Sequence, residues 1–225
     1  MGKRRKKRKK KAQERAQRKR AEREKKRRTR HQVRRSGKRG FLREAARWPI
    51  YECLISRDWQ EPRNLVQIVV ARRSPATREI VCGVFLVDLG CLGVKDAFAS
   101  RPFTLKEYKE EMRAAMEDLQ PMEEADLNLV AKVIREAVAY AKSLGFRPHP
   151  DYRDAAILLE GADPDACDVE VPLGDGTGRP LYFAGPYDDV QAIMRQLERA
   201  VGEDGFTYLV PLAVSYTHLT LPTKA

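Results

Sequence analysis

The stretch IVCGVFLVDLGCLGVKDAF, residues 80–98, decides how the chain is read. Its first ten residues place Val81, Phe85, Val87 and Leu89 on one side of an extended strand, and Cys82, Val84, Leu86 and Asp88 on the other. A strand apolar on both sides needs cover on both faces, which gives it a central place in its sheet. Gly90 and Gly93 then allow a turn with positive φ. A carboxylate at the end of such a strand, in low dielectric, is a candidate for acid–base or nuclease chemistry, with Lys95 and Asp96 assisting. The alternative is structural: Asp88 accepts backbone N–H groups of the GCLG turn or pairs with an arginine.

Upstream, NLVQIVVAR (64–72) carries Val66, Ile68 and Val70 on one side and Leu65, Val69 and Ala71 on the other; YECLIS (51–56) alternates through Tyr51, Cys53 and Ile55. The connections are short, and RRSPATRE (72–79) reads as a turn, so the expected unit is an antiparallel three-stranded meander. Downstream the period changes. Thr104-Leu-Lys-Glu107 is a capping box opening a helix with Leu105, Tyr108, Met112, Ala115 and Leu119 on one face. Pro121 ends it and opens a second helix, about 122–144, stopped by Gly145. A shorter helix follows at about 151–160. Val169–Leu173 and Leu181–Ala184 flank GDGTGRP as a hairpin, Asp188 caps a last helix closed by Gly202, and FTYLVPL (206–212) is a final strand. Strands and helices are segregated, which predicts an α+β domain over residues 41–212: the meander, then helices, then a hairpin, a helix and a strand.

The charge is unevenly placed. Residues 1–40 hold 23 Lys and Arg against three Glu, a net of +20; the remaining 185 residues hold 21 against 29 acids, a net of −8. The first forty residues cannot bury enough apolar surface to offset chain entropy and read as a disordered basic arm. Its Lys3, Arg4, Arg5, Lys6, Lys7, Arg8, Lys9 and Lys10, then Arg18, Lys19 and Arg20, then Lys25, Lys26, Arg27 and Arg28, and finally Arg34 and Arg35, are the candidate phosphate contacts. The arm has no aromatic side chain on which a base could stack, so it binds backbone rather than reading sequence; RNA is expected ahead of DNA.

No apolar run follows the basic start, and no stretch of about 18 apolar residues occurs. Neither a secretory signal nor membrane insertion is expected, and the chain reads as cytoplasmic with reduced thiols at Cys53, Cys82, Cys91 and Cys167. These cysteines form no C-x-x-C pair, so no zinc site is predicted. Gly90-Cys-Leu-Gly93-Val-Lys95 departs from the phosphate-loop spacing, and no cofactor pattern is found. Cys91 with His149 is the minimum for thiol nucleophilic catalysis, against the reading of Cys91 as a small core residue. The acids Asp163, Asp165 and Asp168 fail the EF-hand spacing and read as a solvated loop.

The blocks YECLIS, GVFLVDLGCLGVKDAF, YAKSLGFRPHPDY and LYFAGPYDDV resemble a family of bacterial proteins that share a Lys/Arg-rich N-terminal arm. The resemblance covers about residues 48–212 and implies a bacterial, cytoplasmic protein; it carries no activity. Residues 214–223, VSYTHLTLPT, resemble the in-frame translation of a sequencing-library adapter, so 213–225 are set aside as a non-native tail. Three functions follow as expectations. One is a nucleic-acid-associated protein, binding RNA or ribonucleoprotein through the arm. Another is a metal-dependent nuclease or other hydrolase centred on Asp88. The third is a module whose acidic body engages a protein partner.

Overall fold

The computed structural model describes residues 37–61 and 65–209. The seventeen arm residues named above, and the tail at 213–225, lie outside them. Four strands follow one another: β1 (Ile50–Ser56), β2 (Leu65–Arg73), β3 (Ile80–Asp88) and β4 (Gly93–Ala99). A fifth, β5 (Met122–Glu124), returns to pair with β1. The sheet is antiparallel throughout, in the order β4-β3-β2-β1-β5.

The α+β class therefore stands, but the three-stranded meander does not: the sheet has five strands. Both additions hide for physical reasons. In β4, Leu86 faces Asp96 while Val87 faces Val94, so Lys95 is the extra residue of a bulge. The bulge shifts the inward–outward alternation and puts two charges where a strand pattern asks for apolar residues. β5 is three residues long and two of them are Glu. Its neighbour Pro121 does not begin a helix; that role falls to Asp126, whose side chain accepts from the Asn128 N–H and starts α4 (Leu127–Ser143).

The α-helical segments are α1 (residues 37–45), α2 (Leu105–Glu107), α3 (Ala114–Leu119), α4, α5 (Tyr152–Ala155), which a 3₁₀ turn extends over Ala156–Leu159, and α6 (Val190–Val201). The capping box at Thr104 and Glu107 is formed in both directions. Between α2 and α3 the backbone widens into a π-helical segment, Tyr108–Arg113. A second sheet joins β6 (Leu181–Phe183) to β7 (Thr207–Leu209) in parallel, so the expected hairpin at 169–184 is also corrected. Residues 169–173 form no strand, and Val171 is buried in the main core instead. Parallel pairing needs a crossover, which α6 supplies. Tyr182 and Tyr208 stack at 5.5 Å across the pair.

The main sheet is covered on one face and over part of the other. On one face, Val66, Ile68, Phe85 and Val87 pack against Val130, Ile134 and Ala137 of α4. Leu42 and Ala45 of α1 meet Val81 and Leu158 on a neighbouring patch. On the other face, Leu54, Val69, Cys82 and Val84 pack against Phe103 and Tyr108. Arg72 is buried among these layers, and its guanidinium donates to the carbonyls of Trp48, Leu158 and Glu160. The two sheets meet at Gly90. Its carbonyl accepts from the Leu181 N–H at 3.0 Å, and a Cβ there would stand 2.2 Å from the Leu181 carbonyl oxygen. Only glycine admits that approach.

Candidate functional site

Asp88 closes β3 and is buried. Its Oδ1 accepts from the Cys91 N–H at 2.9 Å and the Leu92 N–H at 3.3 Å. These donors face inward because the chain folds back sharply through Gly93, whose φ is +69°. Burial raises the Asp88 carboxyl above the usual carboxylate range; the backbone donors and the Lys95 charge offset that only in part. The carboxylate thus holds the turn that starts β4.

Lys95 does not turn to Asp88. The bulge sends its side chain to Asp188, with Nζ 2.9 Å from the carboxylate. Asp188 also accepts from the Gly185 N–H at 2.9 Å and the Tyr182 hydroxyl at 3.3 Å. Burial alone would raise the Asp188 carboxyl, but the Lys95 bond and the Gly185 N–H outweigh it and hold the group below its ordinary value. Sequence reasoning assigned Asp188 to the helix cap. Asp189 is the cap, accepting from the Ala192 N–H at 3.1 Å, which frees Asp188 for the lysine. The doubled acid in GPYDD was the available signal.

Cys91 is fully buried, packed with Leu92, Leu144, Tyr182 and Leu197. Burial and the charge of Asp88 push its thiol far up, so little thiolate is present near neutrality. His149 sits elsewhere: its backbone N–H donates to the Val94 carbonyl at 2.9 Å. Its Nδ1 accepts from the Asp151 N–H at 3.3 Å and lies 3.6 Å from Asp96 Oδ1. Of the five residues singled out in the sequence, the structure joins Asp88 to the Cys91 backbone and Asp96 to His149. No bond joins the Cys91 thiol to His149. Among the described residues no group of three His, Cys, Asp or Glu side chains converges as metal ligands.

Asp96 instead borders a feature the sequence did not show. The second face of the sheet carries the cross-strand rows Val69–Val84–Phe98 and Gln67–Leu86–Asp96. The helical segment from Leu105 covers the start of this face and leaves the β3–β4 end open. The result is a groove of about 390 Å³, floored by Leu65, Val84, Leu86 and Phe98 and walled by Met116, Leu119 and Gln120. Gln67 lines it, is 7 % exposed, and its Oε1 has no hydrogen-bond partner.

Nearer the covered end of the same face, Glu52, Tyr108 and Arg113 are close together. Arg113 reaches the Glu52 carboxylate at 3.6 Å. The Tyr108 hydroxyl stands near Glu52 but outside hydrogen-bonding geometry, and both Glu52 Oε1 and Tyr108 Oη are unpartnered. Burial and that carboxylate push the phenol far up. The π-helical widening brings Tyr108 and Arg113 to this spot, a placement no periodicity of 3.6 would give.

Comparison with protein-family models, with curated proteins and with solved structures finds no match to this chain. Among the described residues no helix is long and apolar enough to cross a membrane.

Proposed function

We propose that the protein associates with nucleic acid, RNA ahead of DNA, through its basic arm, with the acidic α+β body as the folded part it carries. The observation behind this reading is the net charge of +20 in the first forty residues against −8 in the rest. Each Lys or Arg that meets a phosphate releases condensed counterions, so affinity is high at low salt and falls steeply as salt rises. The hydrolase reading is less well supported. Asp88 is spent on its turn, Lys95 on Asp188, and the Cys91 thiol is enclosed by apolar side chains.

The boundary between arm and body has one structural detail. Lys38 and Arg39 belong to α1, and Asp154 receives both, Arg39 Nε at 2.7 Å and Lys38 Nζ at 3.8 Å. Asp154 is buried, so these two charges are tied to the body. The test therefore leaves them intact. Binding of single-stranded RNA, duplex RNA and duplex DNA is measured across a salt series. The full chain is compared with one in which the Lys and Arg of residues 1–36 are replaced by Gln. If eight arm charges engage a single strand, the log–log salt slope is about −6 and vanishes in the substituted chain. Unchanged affinity and slope would overturn the proposal.

A further inference from the structure

We infer that the groove on the second face of the sheet is a binding site for a small apolar amine: a ring-sized hydrophobic body carrying an ammonium or other N–H donor. The size fits, since about 390 Å³ lies in the range of small-molecule sites, which are mostly apolar with a few placed polar groups. The floor is mostly apolar, and Phe98, which lines it and is 37 % exposed, offers aromatic surface to a flat molecule.

The polar groups decide the chemistry. Gln67 lines the groove with an amide whose oxygen is enclosed and has no donor; such a buried acceptor is costly until a partner supplies an N–H. Rotation about its last side-chain bond exchanges the two ends of the amide, so this acceptor can be turned to the groove. Gln120 already commits its Nε2 to the Leu65 carbonyl at 2.8 Å, which leaves it an oxygen to offer. Asp96, in the same cross-strand row as Gln67, adds a carboxylate at the rim. No Lys, Arg or His lines the groove. Asp96 Oδ1 takes the Ala97 N–H at 2.8 Å and has His149 Nδ1 at 3.6 Å, which leaves its other oxygen to a ligand; with one carboxylate, two amides and no cation on an apolar floor, the lining favours a cation or N–H donor over phosphate or carboxylate. This site is independent of the arm and of its polyanion.

The test uses the full chain and a matched pair of probes: tryptamine and indole-3-propionate, which share the ring and the two-carbon spacer but end in ammonium or carboxylate. Titration is followed by amide chemical shifts and by calorimetry. Tryptamine should bind at least tenfold more tightly, with shifts centred on Leu86, Phe98 and Leu119. Leu119 is 69 % exposed, so Leu119→Lys places a cation at the mouth without disturbing the core; it should weaken tryptamine at least tenfold. The double variant Gln67→Leu, Asp96→Asn should erase the preference while keeping apolar affinity. Equal binding of the two probes, shifts located elsewhere, or tryptamine binding unchanged in Leu119→Lys would each overturn the inference. So would sedimentation showing that the groove is closed by a second copy of the chain.

Discussion

Replacing Asp88 separates its shape from its charge. In Asp88→Ala the N–H groups of Cys91 and Leu92 lose their acceptor in a site that excludes water. An orphaned buried donor costs about 1–3 kcal/mol, and the second bond is the longer of the two, so the expected loss is about 3 kcal/mol. For a domain of this size that corresponds to a fall in Tm of roughly 6–12 °C. Asp88→Asn keeps an oxygen for both donors and removes a charge that burial disfavours, so it should stay within about 1 kcal/mol of wild type at pH 7. The pH dependence has a definite sign. The folded carboxyl titrates above its unfolded value of 3.8. Its contribution is therefore fully present below that value and is lost as pH rises through the folded pKa. Urea denaturation between pH 3.5 and 8 should show wild type losing stability relative to Asp88→Asn as pH increases across that window. If Asp88→Asn proves as costly as Asp88→Ala at pH 7, the negative charge itself is required and the reasoning fails.

Tyr108→Phe removes a buried hydroxyl that has no partner, so urea midpoints should be unchanged or improved by up to about 1 kcal/mol; a loss above 1 kcal/mol would show that the hydroxyl is bonded. Lys95→Met strands Asp188 with only the Gly185 and Tyr182 donors and should cost about 2–3 kcal/mol at pH 7. The folded wild-type Asp188 carboxyl lies below 3.8, so its contribution is present above that value and is lost as pH falls through the lower folded pKa; the difference between the two chains should therefore shrink on acidification, which acid titration of both chains would reveal. Thiol labelling at pH 8 should reach Cys167 first. Cys53 and Cys82, whose thiols burial pushes up to about 11, and the enclosed Cys91 should react only on unfolding, so early labelling of any of the three would contradict the packing.

What the sequence made legible follows from how local each signal is. The strands read at 51–56, 64–72 and 80–89 were found because the first alternates and the other two are short apolar runs bounded by turn residues, and the capping box at Thr104 because its donors and acceptors lie three residues apart. Gly145 and Gly202 were read as helix stops, and both have positive φ. The structural alternative for Asp88 was also visible, since its donors follow within four residues. Features made by distant partners were not. The Lys95–Asp188 pair spans 93 residues, and β6 meets β7 only after a helix has crossed between them. The groove depends on where the helix after Thr104 stops relative to strands it does not adjoin in the chain. Gln67 looked like an ordinary polar position in a strand, because nothing in NLVQIVVAR says that a helix will end above it.

The parallel pairing of β6 with β7 also orders events as the chain leaves the ribosome. Strands β1 to β4 lie beside their sequence neighbours, and β5 adds to β1 soon after, so the larger sheet has all its strands once residue 124 has emerged. β6 must wait for residues 207–209, and until then the Gly90 junction has a strand to hold but no second strand to complete the pair. A pause in translation between β6 and β7 would leave Tyr182 without its stacking partner and the apolar patch around Leu197 and Phe206 unfinished.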